Sequence, residues 1–278
     1  MRRNRIVGLV GALAGCLLLA GVATGAQAQR RDQDRDRDDW SLSCHDRGND
    51  WNESYCTIEE RTLSGRGTIR VDATPNGGVT VIGWDRDEVE LRVRISAHAR
   101  TEGRAEDLAR EVRLRISGLE VSAEGPRTSG RESWSVSYEL HVPRRSSLWA
   151  RSTNGGIRVA EVSGQIDLQT RNGGLALRAL AGDVRAETTN GGVDVALDGR
   201  RWEGQGLDVS TRNGGVRLTV PDDYSAELET GTVNGGLDID FPVRVSGRIS
   251  RRISTRLGDG GPLIRVVTTN GGVSIRRR

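Results

Sequence analysis

Thr170-Arg171-Asn172-Gly173-Gly174-Leu175-Ala176-Leu177 is followed, 18 residues further on, by Thr188-Thr189-Asn190-Gly191-Gly192-Val193-Asp194-Val195. The shared pattern is Ser or Thr, any residue, Asn-Gly-Gly, then aliphatic residues at the first and third places after the turn. It occurs seven times, at Asn76, Asn154, Asn172, Asn190, Asn213, Asn234 and Asn270. The aliphatic pairs run from Val79/Val81 through Ile157/Val159 to Val273/Ile275 without exception. Identical offsets from an identical turn mark an array of turn-plus-strand units, and such repeats decide the fold. Asn and Gly reach left-handed backbone with little strain, and two glycines in a row permit a sharp corner beside a neighbouring unit.

From Asn154 onward the asparagines are 18, 18, 23, 21 and 36 residues apart, and the last interval reads as two periods with one unmarked turn. Midway between the marked turns lies a second kind, Val162-Ser163-Gly164 and Leu180-Ala181-Gly182. Each period therefore holds two short strands, and the spacing is that of an all-β protein. The expected architecture is a β-solenoid, or β-helix-like array, in which the asparagines stack as an amide ladder and the aliphatic residues as inward columns. Asn-Gly is also a strong hairpin signal, so an antiparallel meander or sandwich is the competing fold. Stacked coils put like on like, which hairpins do not require.

Residues 1–28 read as an export signal: Arg2, Arg3 and Arg5, then an apolar run over Ile6 to Val22, then the small-x-small site Ala26-Gln27-Ala28. Leu13-Ala14-Gly15-Cys16 offers the alternative of a lipid anchor on Cys16. In neither case does the mature chain keep a membrane-spanning helix. Removing the signal takes away three arginines and no acid, so 41 basic against 38 acidic residues becomes 38 of each. A nucleic-acid-binding role thus loses its electrostatic basis. Residues 29–39 contain no apolar side chain and read as a disordered charged linker.

The β-strand-repeat domain is expected over 40–278, with an N-terminal cap over 40–72, a helical insertion over 102–112 and regular repeats over 151–278. Within the cap, Cys44 and Cys56 form the natural disulfide pair of an exported chain. Ala105, Leu108, Ala109 and Val112 have helical spacing, whereas Val89 to Ile95 alternates as a strand. A solenoid needs its ends closed against strand addition. The cap and helix suit one end, and Arg276-Arg277-Arg278 the other.

Candidate chemistry is sparse. The turns lack the third Gly of a calcium-binding β-roll, and strands rather than helices follow them, which argues against a phosphate cradle. Asp222/Asp223 and Asp238/Asp240 are carboxylate pairs of the kind that serve as general acid and base in polysaccharide-cleaving β-helices. Turn chemistry and a solvated strand face explain them as well. His45, His98 and His141 do not form a metal-binding set with the cysteines. Trp84, Trp134, Trp149 and Trp202 are candidates for a sugar-stacking surface or for core packing. Outward positions such as Arg158, Asp167, Arg178, Asp183, Arg185 and Asp194 alternate in sign, which keeps a flat sheet soluble. No catalytic, cofactor-binding or metal-binding residue is assigned, and the turn asparagines are assigned to structure.

The Thr-x-Asn-Gly-Gly-Val turns, with Gly83-Trp84-Asp85-Arg86-Asp87-Glu88-Val89 and Trp134-Ser135-Val136-Ser137-Tyr138, resemble exported bacterial β-strand-repeat proteins of a domain-of-unknown-function family called "putative adhesins". The resemblance covers roughly 40–278 and implies a solenoid-like protein of the cell envelope, periplasmic or extracellular, without catalytic residues to carry over. The expected function is a non-enzymatic scaffold presenting an extended β surface to envelope polysaccharide or a surface protein. The alternative is a polysaccharide-active enzyme on a β-helix, which would gather two acids and an Arg or aromatic in a cleft.

Overall fold

A computed structural model of the chain describes residues 40–44, 52–240 and 252–278. The expected signal 1–28 with Cys16, the linker 29–39, His45 and Trp51 lie outside the described residues. Residues from Leu42 onward form one compact unit.

Along the chain, β1 (Glu53–Leu63) precedes β2 (Ile69–Asn76), which ends at the first Asn-Gly-Gly corner, and β3 (Val79–Trp84) leaves it. There follow β4 (Val89–Ala99), α1 (Glu102–Glu111), the hairpin β5 (Arg113–Ser117) and β6 (Glu120–Glu124), and β7 (Ser133–Pro143). Then the coils begin. Each is a longer strand, an Asn-Gly-Gly corner and a shorter strand: β8 (Leu148–Asn154) with β9 (Ile157–Ala160), β10 (Ser163–Asn172) with β11 (Leu175–Arg178), and β12 (Ala181–Asn190) with β13 (Val193–Ala196). Next come β14 (Gly206–Asn213) with β15 (Val216–Val220), and β16 (Ala226–Asn234) with β17 (Leu237–Ile239). After β18 (Arg252–Leu257), the last coil is β19 (Leu263–Asn270) with β20 (Val273–Arg277).

The shorter strands of the coils, extended by β7, β4 and β1, build one ten-stranded sheet, β1-β4-β7-β3-β9-β11-β13-β15-β20-β17. The longer ones build a second, β18-β16-β19-β14-β12-β10-β8-β2-β6-β5. Pairing between coils is parallel and in register, Leu175 opposite both Ile157 and Val193, and Thr170 opposite both Ser152 and Thr188. The array is thus a β-solenoid rather than an antiparallel meander. Antiparallel pairing is confined to its ends, at β1–β4, β4–β7, β5–β6 and β16–β18.

Register explains the core. Val79, Ile157, Leu175, Val193, Val216 and Val273 form one buried column of the first sheet, and Val81, Val159, Leu177, Val195, Leu218 and Ile275 the next. Leu148, Ile166, Val184, Leu207, Ile264 and Leu228 face them from the second sheet. Each fully buried aliphatic side chain contributes about 1.5–3 kcal/mol relative to its exposed state. At one end, α1 lays Ala105, Leu108 and Ala109 into the core against β4 and β1. Its N-cap is Thr101, whose side chain accepts the Arg104 N–H, and its extended C-cap Val112 ends it.

Three expectations are corrected. Among the described residues between Asn234 and Asn270, no strand takes the parallel place of an ordinary coil. β18 instead pairs antiparallel with β16 at the sheet edge, and the last coil slots back between two earlier ones, β19 between β14 and β16, and β20 between β15 and β17. Consequently Arg276 to Arg278 do not blunt an end. Arg276 lies inside the sheet row and meets Asp238 at 2.5 Å and Asp240 at 3.7 Å. The second corner also sits earlier than the sequence suggests. The non-glycine residues with left-handed backbone are Glu161 (φ 60) and Ala179 (φ 49), and Ser163-Gly164 and Ala181-Gly182 already open the next strands, Gly182 with a φ of 102.

Candidate functional site

The Asn-Gly-Gly corners form one edge of the solenoid. Asn154 donates its side-chain amide to Oδ1 of Asn76, Asn172 to Asn154, Asn190 to Asn172 and Asn213 to Asn190, each at 2.8 Å. Asn270 continues the chain onto Asn213 at 2.7 Å, and Asn234 onto Asn270 at 2.8 Å. Backbone bonds run in parallel, the Gly173 N–H to the Asn190 carbonyl and the Leu175 N–H to the Gly192 carbonyl. A third row has no counterpart in the sequence reading. Ser152, Thr170, Thr188, Thr211, Thr268 and Thr232 each donate a hydroxyl to the carbonyl of the first Gly in the adjacent coil, at 2.8–2.9 Å. The signal was the invariant Ser/Thr two places before each Asn, which satisfies a carbonyl the corner would otherwise bury.

At the corners of Gly155, Gly173, Gly191 and Gly214 the first Gly is required by proximity rather than by left-handed backbone, whereas Gly77 (φ 152) and Gly271 (φ 150) meet both demands. A Cβ on Gly173, Gly191 or Gly214 would stand 2.0–2.1 Å from the carbonyl oxygen of the preceding coil's first Gly. The second Gly is roomier, with 3.7 Å at Gly192 and 3.5 Å at Gly215. Without side chains, these second glycines floor a trough of about 670 Å³ on the outer face of the first sheet. Asp194, Arg217, Ser274 and Asp238 stand along it. Arg217 bonds Asp194 at 3.3 Å, and the carboxylate pair Asp238/Asp240 converges on Arg276. Asp222 and Asp223 lie apart from them, exposed on the turn between β15 and β16.

On the outer face of the second sheet, the register sets Glu120, Arg70, Trp149, Asp167, Arg185, Asp208, Arg265 and Glu229 side by side on successive strands. Like residues stack in the core of a parallel array. Outside, stacked like charges would repel, so the sign alternates from coil to coil. Arg265 bonds Asp208 at 2.6 Å and approaches Glu229 at 3.6 Å, and Arg70 packs over the Trp149 ring at 5.7 Å.

The four tryptophans do not share a surface. Trp134 and Trp202 are buried, with their indole N–H groups on the Pro126 and Gly182 carbonyls. Trp149 lies on the second sheet, whereas Trp84 lies on the first, 5.4 Å from His141 and beneath Arg86. His98 pairs across β4–β7 with Ser133 and His141 with Glu90, so the two histidines do not converge. Among the described residues, no three His, Cys, Asp or Glu side chains gather as a metal site. Beside Trp84, the Arg144 guanidinium bonds Asp85 at 2.7 Å and holds its carboxyl below the usual aspartate range.

Cys44 and Cys56 are joined by a disulfide, with their Cα atoms 5.7 Å apart. The strap it fastens crosses the outer face of the first sheet. The Leu42 N–H donates to Glu139 at 2.7 Å, and Arg94 donates to the Ser43 carbonyl at 3.0 Å. Beneath the strap Glu139 is 4 % exposed and bonds Arg92 at 3.2 Å. Nothing in the alternation of Tyr138-Glu139-Leu140 betrays that an outward Glu is covered.

Residues 144–276, the regular coils, match the model of a family described as Toastrack DUF4097. The chain matches no curated protein in sequence. Among solved structures it is similar to a "putative cell adhesion protein" from Clostridium sporogenes ATCC 15579, with 8% identity over 81% of this chain and 100% of that one, at a TM-score of 0.45. A "putative adhesin" from Bacteroides fragilis NCTC 9343 is 10% identical over 80% of this chain and 97% of that one, at 0.40. A "putative lipid binding protein" from Parabacteroides distasonis ATCC 8503 is 10% identical over 80% and 96%, at 0.28. No helix among the described residues is long and apolar enough to cross a membrane.

Proposed function

We propose that this chain is an exported, non-catalytic scaffold of the cell envelope that binds an extended polymer, polysaccharide or a surface protein, through its outward β faces. The observation that carries the reading is the pairing of outward charge. Asp194, Asp208, Asp238, Asp240 and Glu229 each face an arginine of a neighbouring coil. A carboxylate engaged by a guanidinium in this way is tied to its neighbour rather than set opposite a second acid across an open cleft, the arrangement that glycan cleavage needs. Export is supported by the signal-like residues 1–28 and by the disulfide, which persists in oxidising compartments. The asparagine row supports a structural role for the turns, since each amide is taken up by the next coil.

The test is an array of envelope polysaccharides and surface proteins probed with the purified protein, alongside fractionation of the native host. Retention on one class, weakening as salt rises, is the expected result. Release of shortened glycan products would replace the scaffold with an enzyme.

A further inference from the structure

The two intervals slightly longer than the 18-residue period depart from it at the same corner. The interval from Asn190 to Asn213 is 23 residues, and the interval from Asn213 to Asn234 is 21. Their extra residues lie in 197–205 and 221–225, between the shorter strand and the next longer one. The turn out of β18, at Gly258 to Gly261, lies at that corner too. Together these loops wall a cavity of about 770 Å³ over the tight corner Ala179-Leu180-Ala181. That size is within the roughly 300–1,000 Å³ of small-ligand sites. Insertions that gather on one face of a repeat protein are where such proteins bind.

The walls are fastened to one another. Trp202 is buried and bonds the Gly182 carbonyl at 3.0 Å, while the Gln205 N–H reaches that same carbonyl at 2.9 Å. The Ser225 N–H donates to the Arg200 carbonyl at 2.8 Å, and Ser225 Oγ accepts the Asp259 N–H at 3.1 Å. Tyr224 is buried behind them, its hydroxyl pushed well above the usual tyrosine range by desolvation and by Asp198 and Glu203. A cavity so braced loses little freedom when it is filled.

We infer that this cavity is a binding subsite for a neutral saccharide unit. Arg200 and Arg201 supply donors, and Glu203, Asp223 and Asp259 supply acceptors; Asp198 is occupied by Arg278 at 2.8 Å. Three carboxylates repel a polyanion, and two guanidiniums repel a cation. A ligand dense in hydroxyls, each both donor and acceptor, satisfies both sets. The alanine and glycine floor leaves room for the apolar face of a sugar ring.

This rests on the polymer-binding reading and names its ligand class. The test is immobilised gluco-, manno-, galacto- and xylo-tetrasaccharides, probed with the wild-type protein, Arg201→Gln, Asp223→Asn and, on the exposed side of α1, Arg110→Gln. The expected result is retention on one neutral series, weakened about tenfold or more by either cavity substitution and unchanged by R110Q, with equal melting temperatures. Binding that survives both cavity substitutions overturns the subsite and leaves the scaffold reading standing. Wild-type binding to none of the four overturns the subsite, while the polysaccharide and protein array above still decides the scaffold reading.

Discussion

Asn234 donates its side-chain amide to Asn270, 36 residues later in the chain, and not to Asn213, which precedes it. Asn270 is the one that bonds Asn213. The last coil has been inserted between two that were laid down before it. The core columns remain continuous through the insertion, because every coil presents the same side chains at the same offsets.

The interior of the amide row is testable at Asn172, which donates to Asn154 and accepts from Asn190. Asn172→Ala removes both bonds and is expected to cost about 1–2 kcal/mol in urea unfolding. Asn234→Ala, at the end of the row, loses one bond and should cost less.

The two glycines of a corner should respond differently. In Gly191→Ala the new Cβ meets the Gly173 carbonyl oxygen at 2.0 Å, so the coils must separate. A loss of about 1–3 kcal/mol or more is expected. In Gly192→Ala the nearest atom is 3.7 Å away, and the melting temperature should hardly move.

Thr188→Val keeps the volume and deletes the hydroxyl that serves the Gly173 carbonyl. An unpaired carbonyl beside the core should cost about 1–3 kcal/mol, whereas Thr188→Ser keeps the donor and should cost less. Equal losses in the two variants would show that packing, not the bond, sets the stability.

Tyr138 is buried, and its hydroxyl has no hydrogen-bond partner among the described residues. Desolvation, with Asp72 nearby, pushes it well above the ordinary tyrosine value. The folded state then holds its proton more tightly than the unfolded state. Its contribution is complete below about pH 10, where an unfolded tyrosine titrates, and is lost as pH rises beyond that. Tyr138→Phe should leave stability at pH 7 within about 1 kcal/mol and flatten the alkaline decline.

Replacing Cys44 and Cys56 together by Ser should cost about 3 kcal/mol. It should also speed hydrogen exchange of the Leu42 amide, now held by Glu139 at 2.7 Å. Unchanged exchange would mean that the strap is held by its hydrogen bonds alone.

The coil, its core columns and the short helix were legible because their information is local and periodic. Thr101 caps α1 three residues before Arg104, and the aliphatic pair after each turn always has the same offsets. The covered Glu139, the separation of Trp84 from Trp149 and the cavity corner were not legible. Each depends on which distant segment lies opposite, and neither the spacing 23 nor the spacing 21 says what its extra residues surround.

By itself, the sequence determined that the chain is a periodic all-β array and favoured coils stacked in register, since seven identical turns at identical offsets place like on like when they lie over one another. The tertiary structure alone decided the order of the stack, which of the outward charges pair with one another and the meeting of three loops at one corner. In-register stacking is equally satisfied by any order of equivalent coils. What chooses among orders is the unequal remainder: the antiparallel return of β18 onto β16, and Arg276 set where Asp238 and Asp240 can reach it.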